Sequence, residues 1–437
     1  MTNLLILMLL YLTYAAVSFW LFNCNFLSPS FVFCSSLSGM LCFAYYAANN
    51  LEMLFAIGLK TFSIFATAGF IFIATEFLVY AMHTVKIFQK GPVQSLTDNP
   101  QPLEVNRQIQ WAFTAFITMS LFLAVIVLYM NTGGGSWSQR MSAYKEMILH
   151  NPEKLRMRFI MAQIYKVNII TVDLFGYVML YNISVCKVPL RKSVSYILDV
   201  LIYIVYSAVT TGARQASIEA ILFMLMIYIT LNAKPEKKRR LWGFIFRLIP
   251  VVIILASFFT YAGTLVGRAE TQKSGLQNLA EYVCGGLYSF NLHIDEEAST
   301  KMFGQASFTY IYAIPQNIGL IPRNDDIMIT GEFDMYGNTV TIFGRWYKDF
   351  GTVGVFVMTC LVSLFFSKLF YTRIIYSVNK LREHHLARIF YCQFMTGLIW
   401  AGYDDRIASL MTMQTITLLI FVTVLYRMLI VGRFKFF

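Results

Sequence analysis

Charge is what this sequence has least of: 13% of its 437 residues are Asp, Glu, Lys or Arg, about half the fraction usual in soluble domains. With 57% hydrophobic residues and a mean hydropathy of +0.60, that scarcity excludes a soluble enzyme, a disordered scaffold and a disulfide-stapled secreted domain. None of these could leave so many apolar stretches in water. Cysteine pairing is missing as well. Cys24, Cys34, Cys42, Cys186, Cys284, Cys360 and Cys392 are scattered, so neither a disulfide framework nor a CxxC metal site is indicated. No basic n-region precedes the first apolar run, which is therefore expected to be retained rather than cleaved. A Walker A loop, a GxSxG elbow, an HExxH pair and a transmembrane His cluster are all lacking, and the ATP-driven and metalloprotease readings go with them. The two halves show no internal repeat, which weighs against an inverted-repeat transporter.

What the chain has is apolar runs. A bilayer core needs about 20 apolar residues per helix, and eleven runs qualify: about 3–22, 29–47, 58–82, 110–131, 159–182, 194–211, 216–232, 242–265, 351–372, 387–401 and 408–431. The count allows ten to twelve. The excess of 35 Lys+Arg over 23 Asp+Glu collects in short segments between these runs, the pattern of membrane topology rather than of nucleic-acid binding. Lys234-Pro-Glu-Lys-Lys-Arg-Arg240 is the strongest marker and places its loop in the cytoplasm. The segments at Lys187/Arg191/Lys192, 373–388 and Arg433/Lys435 then share that side, and 132–158 and 266–350 face out. The expected organisation is eight spans in 1–265, one long outer loop over 266–350 between spans eight and nine, and three spans in 351–437. Within the loop, 275–291 and 301–321 are amphipathic enough for short helices on the membrane surface.

Several polar residues stand where chemistry could use them. Gly212-Ala213-Arg214-Gln215 lies at the outer junction of spans six and seven, and an arginine there presents five fixed donors suited to phosphate oxygens. The alternative is an interfacial arginine snorkelling to headgroups or paired with Glu219. Gly344-Arg345-Trp346-Tyr347-Lys348-Asp349-Phe350-Gly351 closes the long loop, and Asp349 could equally cap the helix that follows. Arg268, Arg323 and His293 are the loop's other polar candidates, His293 reading as a base or as an ordinary solvated residue. Glu332-Phe333-Asp334 has a metal-binding spacing without further ligands. Inside the spans, Glu76, Lys166, Asp173 and Asp199 are costly in hydrocarbon and support a carrier, although a Lys166–Asp173 pair would explain two of them.

Thr211-Gly212-Ala213-Arg214-Gln215 followed by an apolar span resembles the T-G-[SA]-R helix start of Wzy-type O-antigen and oligosaccharide repeat-unit polymerases. Tyr282, then Gly285-Gly286-Leu-Tyr-Ser-Phe290-Asn291, the spacing near Gly337-Asn338-Thr339, and Tyr347-x-Asp349-Phe350-Gly351-x-x-Gly354 resemble that family's loop and its D-F-G-x-x-G helix start. The match covers about 205–355. The resemblance implies an all-α, GT-C-like membrane glycosyltransferase of the bacterial inner membrane with a periplasmic active site. It would join repeat units carried on undecaprenyl diphosphate, alongside a Wzz-type chain-length regulator. Arg214, Arg345, Asp349 and His293 would be catalytic, and Gly212, Gln215, Arg268, Tyr282, Arg323 and Tyr347 would bind substrate. No cofactor or metal is expected: the first outer loop, about 48–57, has only Glu52 as a carboxylate. An O-antigen ligase shares the same donor and architecture. A lipid-linked oligosaccharide flippase or other transporter is the reading from a different class.

Overall fold

The computed structural model describes residues 1–23, 25–51, 53, 56–90, 100–211, 215–232, 275–295, 303–308, 311–312, 315–316, 319–321, 341–374, 384–409 and 413–431. Among these, all regular structure is helical: α1 (Thr2–Leu21), α2 (Pro29–Asn50), α3 (Leu59–Lys90), α4 (Arg107–Asn131), α5 (Trp137–His150), α6 (Arg158–Ser184), α7 (Val194–Thr211), α8 (Gln215–Asn232), α9 (Gly275–His293), α10 (Ile342–Leu369), α11 (His385–Ile399), α12 (Arg406–Ser409) and α13 (Met413–Tyr426). Local sequence fixes several starts. Ser28 accepts the Phe31 N–H with Pro29 in the first turn, Asn106 caps α4, and Ser136 and Gln139 form a reciprocal capping box on α5.

Eight described helices are long and apolar enough to cross a membrane: α1, α2, α3, α4, α6, α7, α8 and α10. This is an α-helical, multi-pass membrane architecture. Large apolar side chains such as Phe70, Leu78, Met119, Phe122 and Val353 stand exposed on these helices, where lipid rather than water is their natural solvent. The expected span 242–265 lies outside the described residues. The expected span 387–401 corresponds to α11, of 15 residues, and 408–431 contains α13, of 14.

The chain forms two compact units. In the first, which holds α1–α3 and α9–α12, Tyr11 and Tyr14 of α1 donate to the Phe65 and Ala66 carbonyls of α3 at 2.8 and 3.1 Å. Gly69 lets the Tyr14 ring lie against α3, since a Cβ there would sit 2.8 Å from it. Phe33 stacks on Phe72 with centroids 4.2 Å apart, and Phe343 meets both Phe33 and Phe65 edge-on. Two polar ends bracket this core. At one, Ser28 Oγ, Ser30 N–H and Tyr371 OH all donate to the buried Glu76 carboxylate at 2.6–2.9 Å. At the other, Asn3 donates to the Ile57 carbonyl beside the start of α3.

The second unit holds α4–α8. Gln110 and Ser195 hydrogen-bond between α4 and α7, and Ile117, Ala124, Tyr203, Tyr206 and Val172 close a shared apolar core with α6. Amphipathic α5 packs Met141 and Tyr144 on Leu128, and Arg140 lies over the Tyr129 ring at 4.3 Å. Gly176 makes room for the Met224 side chain of α8.

Candidate functional site

Halfway along α2, one helix of the first unit ends and another begins. In α2, residues Ser36–Met40 lie about 10–16 Å from the start of the helix. Ser36 Oγ donates to the Ile399 carbonyl at the end of α11. Gly402 packs so closely on Met40 and Leu37 that a Cβ would meet Met40 at 2.9 Å. Cys284, at the centre of α9, donates to the Met40 carbonyl. α9 therefore lies along the middle of α2 and not across the helix ends, because Ala280, Cys284, Leu287 and Phe290 form a buried stripe on one of its faces.

At this level α11 ends and α10 begins. The Ile342 N–H donates to the Ala401 carbonyl at 3.0 Å, and the Thr341 N–H to the Gly286 carbonyl of α9 at 3.3 Å. Tyr282, one turn before Gly286, stacks on Tyr403 at 6.0 Å, and Tyr403 packs on Trp400 at 5.2 Å. These contacts close a ring: Thr341, Gly286, Tyr282, Tyr403, Trp400–Ala401 and Ile342. Irregular backbone at membrane depth persists only where protein buries it or a polar cavity needs it. The adjoining turn is polar: Asp404 pairs with Arg406 at 3.1 Å, and the buried Asp405 stands directly ahead of α12. Chemically, the ring offers aromatic faces for sugar rings and a helix N-terminus for an anion.

From this ring, residues 342–350 form the first nine-residue segment of α10, and Gly351 breaks it at φ 63°, ψ −161°. The break explains why the helix starts nine residues before the expected 351. Arg345, Lys348 and Asp349 made 342–350 too polar to read as part of a span. Asp349 does not cap the following helix. Its carboxylate accepts the N–H groups of Ala306 and Ser307 at 3.0 and 2.5 Å, while Phe350 packs on Phe303 and Phe308. Tyr347 OH donates to the Ile294 carbonyl at 2.7 Å. Lys60 Nζ donates to that same carbonyl at 2.8 Å and lies 3.3 Å from Asp295. His293, half-buried, is the last residue of α9 beside this cluster. Arg345 is half-buried, and its guanidinium makes no hydrogen bond or ion pair among the described residues.

The structure thus gathers Tyr282, His293, Arg345, Tyr347 and Asp349 into one unit. Gln215 lies in the other, where its Nε2 donates to Glu219 at 3.1 Å, close to the Ser207–Ser217 hydroxyl pair and the Tyr165, Tyr203 and Tyr206 rings. Gly212, Arg214, Arg268 and Arg323 lie outside the described residues, as do Glu332 and Asp334. Asp173 and Asp199 are buried in the second unit. Among the described residues no group of three or more His, Cys, Asp or Glu side chains is placed to hold a metal ion.

Sequence reading passed over Lys60, Thr341, Trp400 and Tyr403. Asn291, quoted only as part of a motif, proves to be a clamp: its Oδ1 accepts from Gly58 N–H and Thr61 OH, and its Nδ2 donates to the Ala56 carbonyl. The signal available was the polar run Gly402-Tyr403-Asp404-Asp405-Arg406 between two apolar stretches. Compared with known proteins, the chain matches no family model, no curated protein and no solved structure.

Proposed function

We propose that this protein is a membrane glycosyltransferase that polymerises lipid-linked oligosaccharide repeat units, with its site in the first unit at the junction of α9, α10 and α11. The observation that carries the reading is Arg345, without a hydrogen bond or ion pair among the described residues, one turn into the helix that starts beside Tyr282, Tyr403 and Trp400. The resemblance of the Tyr282–Asn291 and Tyr347–Gly354 segments to Wzy-type polymerases supports the same reading. In it the chain has eleven spans in a GT-C-like arrangement in the bacterial inner membrane, the site faces the periplasm, and a Wzz-type regulator sets chain length.

An acceptor sugar hydroxyl attacks the anomeric carbon of the growing chain. The new C–O bond forms as the bond to the undecaprenyl diphosphate oxygen breaks, and the diphosphate leaves with the bonding pair. Arg345 stabilises that developing charge, and the hydroxyl proton passes to a base such as His293. Aromatic faces hold the sugars, so positioning supplies much of the rate.

The test is a gel of surface glycolipid from cells lacking the gene, restored with wild type or Arg345→Ala. Collapse of the ladder to a single repeat, rescued by wild type only, is expected. Loss of all glycan from lipid A would instead indicate a ligase or flippase, and an unchanged ladder in the deletion would remove the reading.

A further inference from the structure

Thr341 is the N-cap of α10, the position where a threonine hydroxyl ordinarily accepts an N–H of the first turn. Here it accepts none. The residue is fully buried, and among the described residues its Oγ1 has no hydrogen-bond partner. Trp400 Nε1, on the segment of chain hydrogen-bonded to that same helix start through Ala401 and Ile342, is a second buried donor without a partner among the described residues. A buried hydroxyl or indole N–H without a partner is costly, and the two residues that carry these groups stand on either side of the Ala401–Ile342 hydrogen bond at one helix start, so a ligand there would find both donors open.

The electrostatics specify the ligand's sign. The start of α10 carries the positive end of the helix dipole, and Arg345 lies one turn along. Arg345, four residues on from Thr341, stands on the same side of the helix start. Of the acidic groups of the neighbouring turn, Asp404 is paired with Arg406, and Asp405 directly precedes the first residue of α12, whose positive end attracts its charge. The donors are a hydroxyl, an indole N–H and a guanidinium, with no acceptor-only group among them, so the matching partner is rich in acceptor oxygens.

We propose that the N-terminus of α10 is a phosphate-binding subsite in which Thr341 Oγ1 and Trp400 Nε1 donate to the phosphate oxygens beneath Arg345. The proposal rests on the glycosyltransferase reading only for the phosphate's origin. The same chemistry serves a lipid-linked diphosphate or free diphosphate. Tyr282 and Tyr403 then lie beside the phosphate, where the first sugar attached to it would stack.

The experiment uses full-length protein in nanodiscs, labelled with 5-fluorotryptophan and followed by fluorine NMR. Trp400→Phe identifies the Trp400 resonance, and Trp346, packed in the core against Phe343, is an internal reference. Titration with inorganic diphosphate is expected to move the Trp400 signal and leave that of Trp346 in place. Thr341→Val keeps the shape and removes the hydroxyl, and should weaken binding about 10-fold or more. Tighter binding of farnesyl diphosphate than of inorganic diphosphate would identify the lipid-linked source, and equal binding the free one. A Trp400 signal unmoved at millimolar diphosphate in protein with wild-type melting would overturn the subsite, as would an unchanged affinity in Thr341→Val. The glycolipid ladder separates the two ideas. Normal ladders in both Thr341→Val and Trp400→Phe, with a collapsed ladder in the deletion, would sink the subsite alone. An unchanged ladder in the deletion would sink the polymerase while leaving the diphosphate titration to stand or fall by itself.

Discussion

Asp349 accepts two backbone N–H groups from a turn more than forty residues earlier in the chain. Those N–H groups sit on a turn opened by Gly304 at φ +67°, where a Cβ would meet the Phe308 ring at 2.5 Å, so the turn has little freedom to find other partners. Asp349→Asn keeps one acceptor oxygen and sets an NH2 group against a backbone N–H, which costs on the order of 1–3 kcal/mol. Purified Asp349→Asn protein should therefore melt several degrees below wild type in the same detergent. An unchanged midpoint would show that the carboxylate does not hold the 303–308 turn and would return Asp349 to the list of free catalytic groups. The residue type and position were readable in the sequence. The partner was not, because backbone N–H groups of a distant turn leave no mark in composition or spacing.

Element boundaries depend on the same balance of local and distant forces. α1, α2, α4 and α6–α8 begin and end close to where their apolar runs do, because each is long enough for hydrophobic length alone to set its limits, whereas α3 runs eight residues past the expected 82, to Lys90. α10 departs from this: 342–350 is helical despite Arg345, Lys348 and Asp349, since Phe343 is buried against Phe33 of α2 and Phe65 of α3 with Trp346 buried beside it, and tertiary packing overrides the polar composition. The break at Gly351 lies in a region of backbone space that is essentially glycine's alone, with open space around it, so strain is the whole cost of adding a Cβ. Gly351→Ala should destabilise by about 1–3 kcal/mol. Gly39, exposed on α2, also has open space and an ordinary helical φ, and Gly39→Ala should be neutral or stabilising by up to about 1 kcal/mol. Equal melting shifts for the two variants would show that the break in α10 is not held by glycine's conformational freedom.

At the scale of the molecule, membrane class was legible because composition alone forbids water as the solvent, whereas the site was legible only in part. Tyr282, Arg345 and Tyr347 lie in short motifs. Thr341, Trp400 and Tyr403 join them only through the meeting of two helix ends, which no periodicity announces. The first unit nonetheless makes a topological statement that can be checked. Lys60, Asn291 and Tyr347 gather at one end and Ser28, Glu76 and Tyr371 at the other. In sequence the basic residues from Arg373 to Arg388 follow Tyr371, so the positive-inside rule predicts that end in the cytoplasm. In right-side-out spheroplasts, with the native cysteines replaced, a membrane-impermeant maleimide should label Asp295→Cys and spare Asn23→Cys and Lys237→Cys until the membrane is opened. Labelling of Asn23→Cys together with Asp295→Cys would mean that both ends of the unit face one compartment, and the helices between them could not then span the bilayer as their length and apolar surface require.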